Sequence, residues 1–196
     1  MKFFKKIFFN HNTKQISNNI VTYNLVKYNV VQVIASTFFL FVCSQINIPL
    51  KPVPITLQTV AVLVIGLCLP KKNALESILL YIVLGAIGVP VFANFGKGFV
   101  RLLSPSGGYL IGFIVSVWVM AKFREIFEVK KIIHLVAVGF IGQFVLYTFG
   151  ILWLSKFVGF DNALKAGLYP FILTDIVKNF LVSSIIRLLK IHSLIG

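Results

Sequence analysis

The sequence predicts an all-α integral membrane protein, with six transmembrane helices in one compact bundle and both termini in the cytoplasm. Three observations carry that expectation. Of 196 residues, 58% are hydrophobic and only 12% charged, and the mean hydropathy is +0.95. The apolar residues come in long blocks, and a block of roughly 18 or more uncharged residues reads as a transmembrane helix. The cations lie between these blocks rather than on one face or stripe. A formal net charge of +14 therefore speaks for membrane topology and against nucleic acid as a partner.

Residues 1–27 form a cationic, Asn-rich start, with Phe3, Phe4, Phe8 and Phe9 around Lys5 and Lys6. The apolar patch is shorter than a signal-peptide core and no small-residue cleavage site follows it, so a cytoplasmic tail lying along the membrane is expected. Residues 28–196 make up the six-helix membrane domain. Tyr28 to Leu50 carries no charge and is the first expected helix. Pro49, Pro52 and Pro54 then break it, because each removes a backbone donor and pushes its predecessor into an extended conformation. Ile55 to Leu69 is the second helix, stopped by Pro70-Lys71-Lys72-Asn73, and about Ala74 to Val89 is the third.

Pro90 to Tyr109 is a long irregular stretch of glycine, proline, aromatics and two cations. Loops of this length are functional or disordered, and its apolar content argues against disorder. The fourth helix is expected from about Gly108 to Lys122. On it, Gly108, Gly112 and Ser116 form a small-xxx-small face for a neighbouring helix. A charged turn, Arg124 to Lys131, leads to a fifth helix from Ile132 to Ser155. A mixed loop, Lys156 to Tyr169, precedes the sixth, which starts at Pro170 and ends near Lys190.

The cations orient the bundle. With both termini inside, thirteen of the nineteen Lys and Arg residues fall on the inner side. Five (Lys51, Lys97, Arg101, Lys156 and Lys165) fall on the outer side, and Lys178 lies within the last helix. That bias satisfies the positive-inside rule. The proline break, the 90–109 loop and the start of the sixth helix then share the outer face.

Polar residues in that region are the candidates for chemistry. Thr56, Gln58 and Thr59 sit in the proline break, where backbone without helix partners must line a cavity or be buried in protein. On the sixth helix, Asp175 is three and four residues from Lys178 and Asn179, so the three share a face. A charge deep in a membrane helix costs about 2.5–3.5 kcal/mol on insertion scales. Such a pair either faces a polar cavity or neutralises itself near the interface, where lysine can snorkel to water. In an outward cavity, Lys178 would hold a carboxylate, while Asp175 and Asn94 or Asn179 would read N–H and C=O groups. Gln143 is expected to bond between helices, and Glu76 to be salt-bridged. Cys43 and Cys68 have no metal or disulfide spacing and are expected to pack as small hydrophobes.

Four segments resemble one known family. Ser44-Gln45-Ile46-x-Ile48-Pro49-Leu50-x-Pro52-Val53-Pro54-Ile55-Thr56-Leu57-Gln58-Thr59 closely resembles the motif of the BioY family. These are the biotin-specific substrate-binding (S) subunits of energy-coupling-factor (ECF) transporters. Leu84-Gly85-Ala86-x-Gly88-x-Pro90-Val91-Phe92-Ala93 is similar to the next block. Ser104-Pro105-Ser106-Gly107-Gly108-Tyr109-Leu110-x-Gly112-Phe113 resembles a Gly-Pro-Thr-Gly-Gly-Tyr segment, and Pro170-Phe171-x-x-x-Asp175-x-x-Lys178 the start of the last helix. The resemblance runs in order from about Tyr28 to Lys190.

The resemblance implies a multi-pass protein of the cell (inner) membrane with the ECF S-component fold. It would bind biotin in an outward-facing pocket and work with a transmembrane T subunit and two ATPases in the lipid bilayer. It further implies Asp175 and Lys178 as ligand-binding residues, with Asn94 and the Tyr109 loop around the bicyclic ring. No cofactor is expected, and the chain carries no phosphate-cradling loop for ATP. Ser104 and Ser106 depart from the family's Gly and Thr. Arg101 stands where an apolar residue is expected, either as a second carboxylate contact or as loop surface. In S subunits, small residues of the first helix form an Ala-xxx-Ala coupling face, but here Ala35 is followed by Phe39. The alternatives are an S subunit for another small vitamin, or a structural or assembly membrane protein. An intramembrane enzyme ranks below both, because no Gly-x-Ser-x-Gly elbow or His-Glu-x-x-His helix appears.

Overall fold

A computed structural model describes residues 29–127 and 131–195. The tail expected over residues 1–27 and the centre of the charged turn (128–130) lie outside the described residues. The protein is mostly helical, and the long helices pack side by side around a core that includes Tyr81, Leu63, Ile65, Met120 and Leu154. Among the described residues, one helix, Ile132–Val158, is long and apolar enough to cross a membrane by itself. At 1.5 Å per residue its 27 residues reach about 40 Å.

Helix α1 spans Asn29–Gln45 and stops five residues short of the expected Leu50. The cause is local: the Asn47 amide donates to the carbonyls of Ser44 (3.3 Å) and Gln45 (3.0 Å), taking up acceptors that the last turn leaves open. The proline break is not a plain loop. Asn47–Ile48 (β1) and Ile55–Thr56 (β2) pair antiparallel, Asn47 opposite Thr56 and Ile48 opposite Ile55. All three prolines fall in the connection, where their missing N–H groups cost no ladder bond. The expected all-α fold thus carries a short β-ribbon. Helix α2, Gln58–Cys68, starts three residues late because Ile55 and Thr56 belong to this ribbon.

Helix α3, Lys71–Ala86, begins earlier than expected. Pro70 does end α2, but its fixed φ also suits the residue that leads into a helix, so Lys71 to Asn73 become the first turn of α3. Its far end closes where Gly88 takes φ +107° and the Val89 N–H reaches back to the Leu84 carbonyl. Within the 90–109 stretch lie a short 3₁₀ turn, Ala93–Phe95, and helix α4, Val100–Leu103.

Helices α5 (Gly107–Ile126) and α6 (Ile132–Val158) form the central pair. The expected small-residue face is their seam. A Cβ on Gly108 would lie 2.2 Å from the Trp153 Cβ and 2.7 Å from the Phe149 carbonyl oxygen. One on Gly112 would lie 2.8 Å from the Leu146 carbonyl oxygen, and the Ser116 hydroxyl donates to the Gly142 carbonyl at 2.8 Å. Gly108→Val is expected to wedge the pair apart and destabilise the protein by about 1–3 kcal/mol, the range for overpacking. A thermal unfolding curve in detergent checks this, and an unchanged midpoint would refute it.

The mixed loop expected over Lys156–Tyr169 is instead largely helical. Gly159 at φ +80° turns the chain out of α6 into α7, Phe160–Gly167. Its buried Ala163 and Gly167 lie four residues apart, and Asp161 and Lys165 are a second pair at that spacing. This is helical rather than loop periodicity. Helix α8, Tyr169–Ile195, completes the bundle and packs against α2, α6 and α7.

Candidate functional site

The β-ribbon, the 92–106 segment, the start of α5, the second half of α6 and the start of α8 meet at one end of the bundle. They enclose a cavity of about 160 Å³. Phe92, Tyr109, Phe113, Tyr147 and Phe171 supply aromatic wall, while Thr56, Gln58, Thr59, Ser104, Ser106 and Arg101 supply polar wall. Flat apolar walls with a few fixed polar groups are what hold and orient a small ring system.

Each wall is braced from behind. The Gln45 side chain ties α1 to the 92–95 turn, donating to the Phe92 carbonyl (3.1 Å) and accepting from the Phe95 N–H (3.0 Å). That turn holds two non-glycine residues in left-handed backbone, Asn94 at φ 57° and Phe95 at φ 52°. Asparagine tolerates this conformation and phenylalanine resists it, so the Gln45 bond offsets local strain. Gln58 donates to the Tyr81 hydroxyl at 2.6 Å and accepts from Thr56 at 3.1 Å. Tyr109 donates to the Gly167 carbonyl at 2.8 Å, which locks α5 to the α7–α8 junction.

The charged pair lies behind the cavity wall. Lys178 and Asp175 form an ion pair of 2.8 Å with side chains 12% and 3% exposed. The Lys178 ammonium also donates to the Thr56 carbonyl and the Thr59 hydroxyl, both at 3.0 Å. An ammonium has three donors, so all of them are engaged. The Asp175 carboxylate accepts from Tyr147 at 2.6 Å and from Thr59 at 3.0 Å. Thr59 and Tyr147 therefore stand between the cavity and the charges, touching both.

The remaining candidates separate. Asn179 is fully buried and donates to the Val136 carbonyl (3.1 Å) and to Gln143 (3.4 Å), deeper between α6 and α8. Gln143 also donates to the Asp175 carbonyl at 3.0 Å, the interhelical role expected for it. Asn94 is exposed and is not part of the cavity wall, although Phe92 and Ala93 beside it are. Arg101 is exposed at the cavity, with its Nε packed over Gly96. Among the described residues its guanidinium has no hydrogen-bond or ion-pair partner.

The family profile described as the BioY family matches residues 13–194. The chain belongs to the BioY family. A relative from Pyrococcus horikoshii named "Probable biotin transporter BioY" is 42% identical over 69% of this chain and 79% of its own. "Biotin transporter BioY" from Thermotoga maritima is 36% identical over 78% of this chain and 89% of its own. Among solved structures, the S-component for biotin from an ECF-type ABC transporter superposes with a TM-score of 0.78. It is 26% identical and the match covers 85% of this chain and 93% of that one.

Membership gives the cavity a meaning that composition lacks. The four segments that resemble BioY motifs lie far apart in sequence, yet each contributes to this one wall: Pro52–Thr59, Phe92 with Ala93, Ser104–Phe113, and Phe171. Sequence reasoning passed over Tyr147, which contacts both the cavity and Asp175. The available signal was its place four residues after Gln143, which puts both on one face of α6.

Proposed function

We propose that this protein is the substrate-binding subunit that captures biotin from outside the cell for import. The observation that carries this reading is the convergence of all four BioY segments on a single aromatic and polar cavity backed by a buried ion pair. Helices α1, α2, α3, α5, α6 and α8 are the six spans of a multi-pass protein in the cell membrane. Residues 1–27 are its cytoplasmic tail. The short α2 crosses together with the ribbon that precedes it, whose polar backbone is shielded by neighbouring segments. Both termini are cytoplasmic, as the positive-inside bias requires, so the cavity opens outward. Energy for import comes from a T subunit and two ATPases.

Biotin offers a carboxylate, an apolar ring and tail, and a ureido group with two N–H donors and one C=O. The Arg101 guanidinium at the cavity receives the carboxylate, since a planar fork suits two oxygens. The aromatic wall, with Tyr109, takes the ring and tail. The ureido group meets Thr56, Gln58 and the Thr59 gate, displacing the Thr59 hydroxyl so that Asp175 accepts an N–H and Lys178 donates to the C=O. This division follows from position: Arg101 lies at the cavity itself, whereas the Lys178 ammonium reaches a ligand only where Thr59 gives way beside Asp175. Asn179 holds Asp175 in place through Gln143, and Asn94 closes the rim.

Uptake tests the reading. Cells lacking other biotin transport are expected to accumulate labelled biotin when they make this protein. The purified protein is expected to melt at higher temperature with biotin, because a ligand that binds only the folded state stabilises it. No uptake together with no stabilisation would overturn the proposal. Stabilisation by a different vitamin alone would reassign the ligand.

A further inference from the structure

At the end of the bundle away from the cavity, two cations converge on one indole. Lys71 opens α3 and Lys122 lies near the end of α5. Their ammonium groups sit 5.4 and 4.9 Å from the Trp118 ring centroid. They are thus held within about 10 Å of each other, a range over which like charges still repel. Among the described residues neither nearby carboxylate, Glu76 on α3 or Glu125 on α5, comes within ion-pair distance of these two lysines. Glu76 pairs with Lys72 at 3.8 Å, and Arg124 is turned to the carbonyls of Leu67 (2.7 Å) and Leu69. The indole attracts both cations, but it carries no net charge to neutralise them.

The surface beside this cluster is apolar. On α5, Ile111, Trp118 and Lys122 follow at spacings of seven and four and so share one face. Trp118 is 37% exposed and Ile111 42%. On α3, which packs against α5, Leu75 and Ile82 follow Lys71 at spacings of four and seven, share its face and are partly exposed. A tryptophan flanked by lysines marks the headgroup level of a bilayer, and the apolar track runs from it toward the hydrocarbon core.

We propose that Lys71, Lys122 and Trp118 form a binding site for the phosphate of an anionic phospholipid, whose acyl chain lies along Ile111, Leu75 and Ile82. The phosphate supplies the negative charge that the two lysines lack, and the track accounts for a lipid rather than a free anion. The site lies apart from the cavity and needs only that these helices sit in a membrane.

The test uses the full-length purified protein in detergent, given phosphatidylglycerol, phosphatidylcholine or inorganic phosphate. Thermal unfolding is recorded, and retained lipid is counted by native mass spectrometry. Phosphatidylglycerol is expected to be retained and to raise the unfolding midpoint, while the other two do neither. At about a fivefold factor per lysine near anionic lipid, the double variant Lys71→Gln/Lys122→Gln should bind roughly 30-fold more weakly. The charge-keeping Lys71→Arg/Lys122→Arg should retain the lipid. Helical circular dichroism and monodisperse elution of both variants separate lost binding from lost folding. Equal protection by phosphatidylcholine would mean that only the acyl track binds, and equal protection by phosphate would mean a soluble-anion site. Either outcome overturns the proposal, as does an unchanged Gln variant or loss of the lipid in the Arg variant.

Discussion

Replacing Arg101 by alanine is expected to weaken biotin binding by about 2 kcal/mol, roughly 30-fold in Kd, as for a lost hydrogen-bonding interaction with a charged group. The effect should depend on the carboxylate. Biotinamide keeps the ring and the ureido group but lacks the negative charge, and the same substitution should cost it less than threefold. Arg101 is exposed and, among the described residues, its guanidinium is unpartnered, so its removal leaves no buried group unsatisfied, and the unfolding midpoint of the free protein should stay put. Lys178→Ala should behave in the opposite way, weakening biotin and biotinamide alike, because the proposal assigns Lys178 to the ureido group. Isothermal titration of both ligands against both variants checks the pattern. If Lys178→Ala spared the amide and Arg101→Ala did not, the two cations would have to exchange roles.

Removing Asp175 should be the most damaging single change to the folded state. Asp175→Ala leaves the Lys178 ammonium 12% exposed without its counter-charge and leaves the Tyr147 and Thr59 hydroxyls without their shared acceptor. Breaking a buried pair from one side costs about 3–5 kcal/mol, far more than the net contribution of an intact pair. A loss of that size should appear as a large drop in unfolding midpoint and in membrane yield. The double variant Asp175→Asn/Lys178→Met removes both charges and should recover a good part of the stability while remaining unable to bind biotin. If the double variant were no more stable than Asp175→Ala, the pair would not be the source of the loss. If it bound biotin normally, the ureido assignment would fall.

Much of this molecule was legible from residue order. Long uncharged blocks marked the principal helices, because hydrocarbon-facing segments tolerate few charges whatever their neighbours. The Gly108, Gly112 and Ser116 spacing marked the α5–α6 seam, because close approach of two helices needs small residues at one helical period. Gln143 read correctly as an interhelical bridge. Element ends were less legible. The ribbon at Asn47–Thr56 needs two segments to meet across the prolines, and helix α7 was hidden in a short stretch of mixed polarity.

The site divides along the same line. Residue types and motif order carried the resemblance to the BioY family, and three-residue spacing alone put Asp175 and Lys178 on one helix face. Three-dimensional packing decided how those residues stand toward the cavity. The pair is sealed behind Thr59 and Tyr147, which come from α2 and α6, and Arg101 lines the cavity with no partner for its guanidinium among the described residues. Whether a charge is free or engaged depends on acceptors brought from distant parts of the chain. Lys178 meets Thr56 and Thr59 across more than a hundred residues, a separation that no helical or strand period encodes.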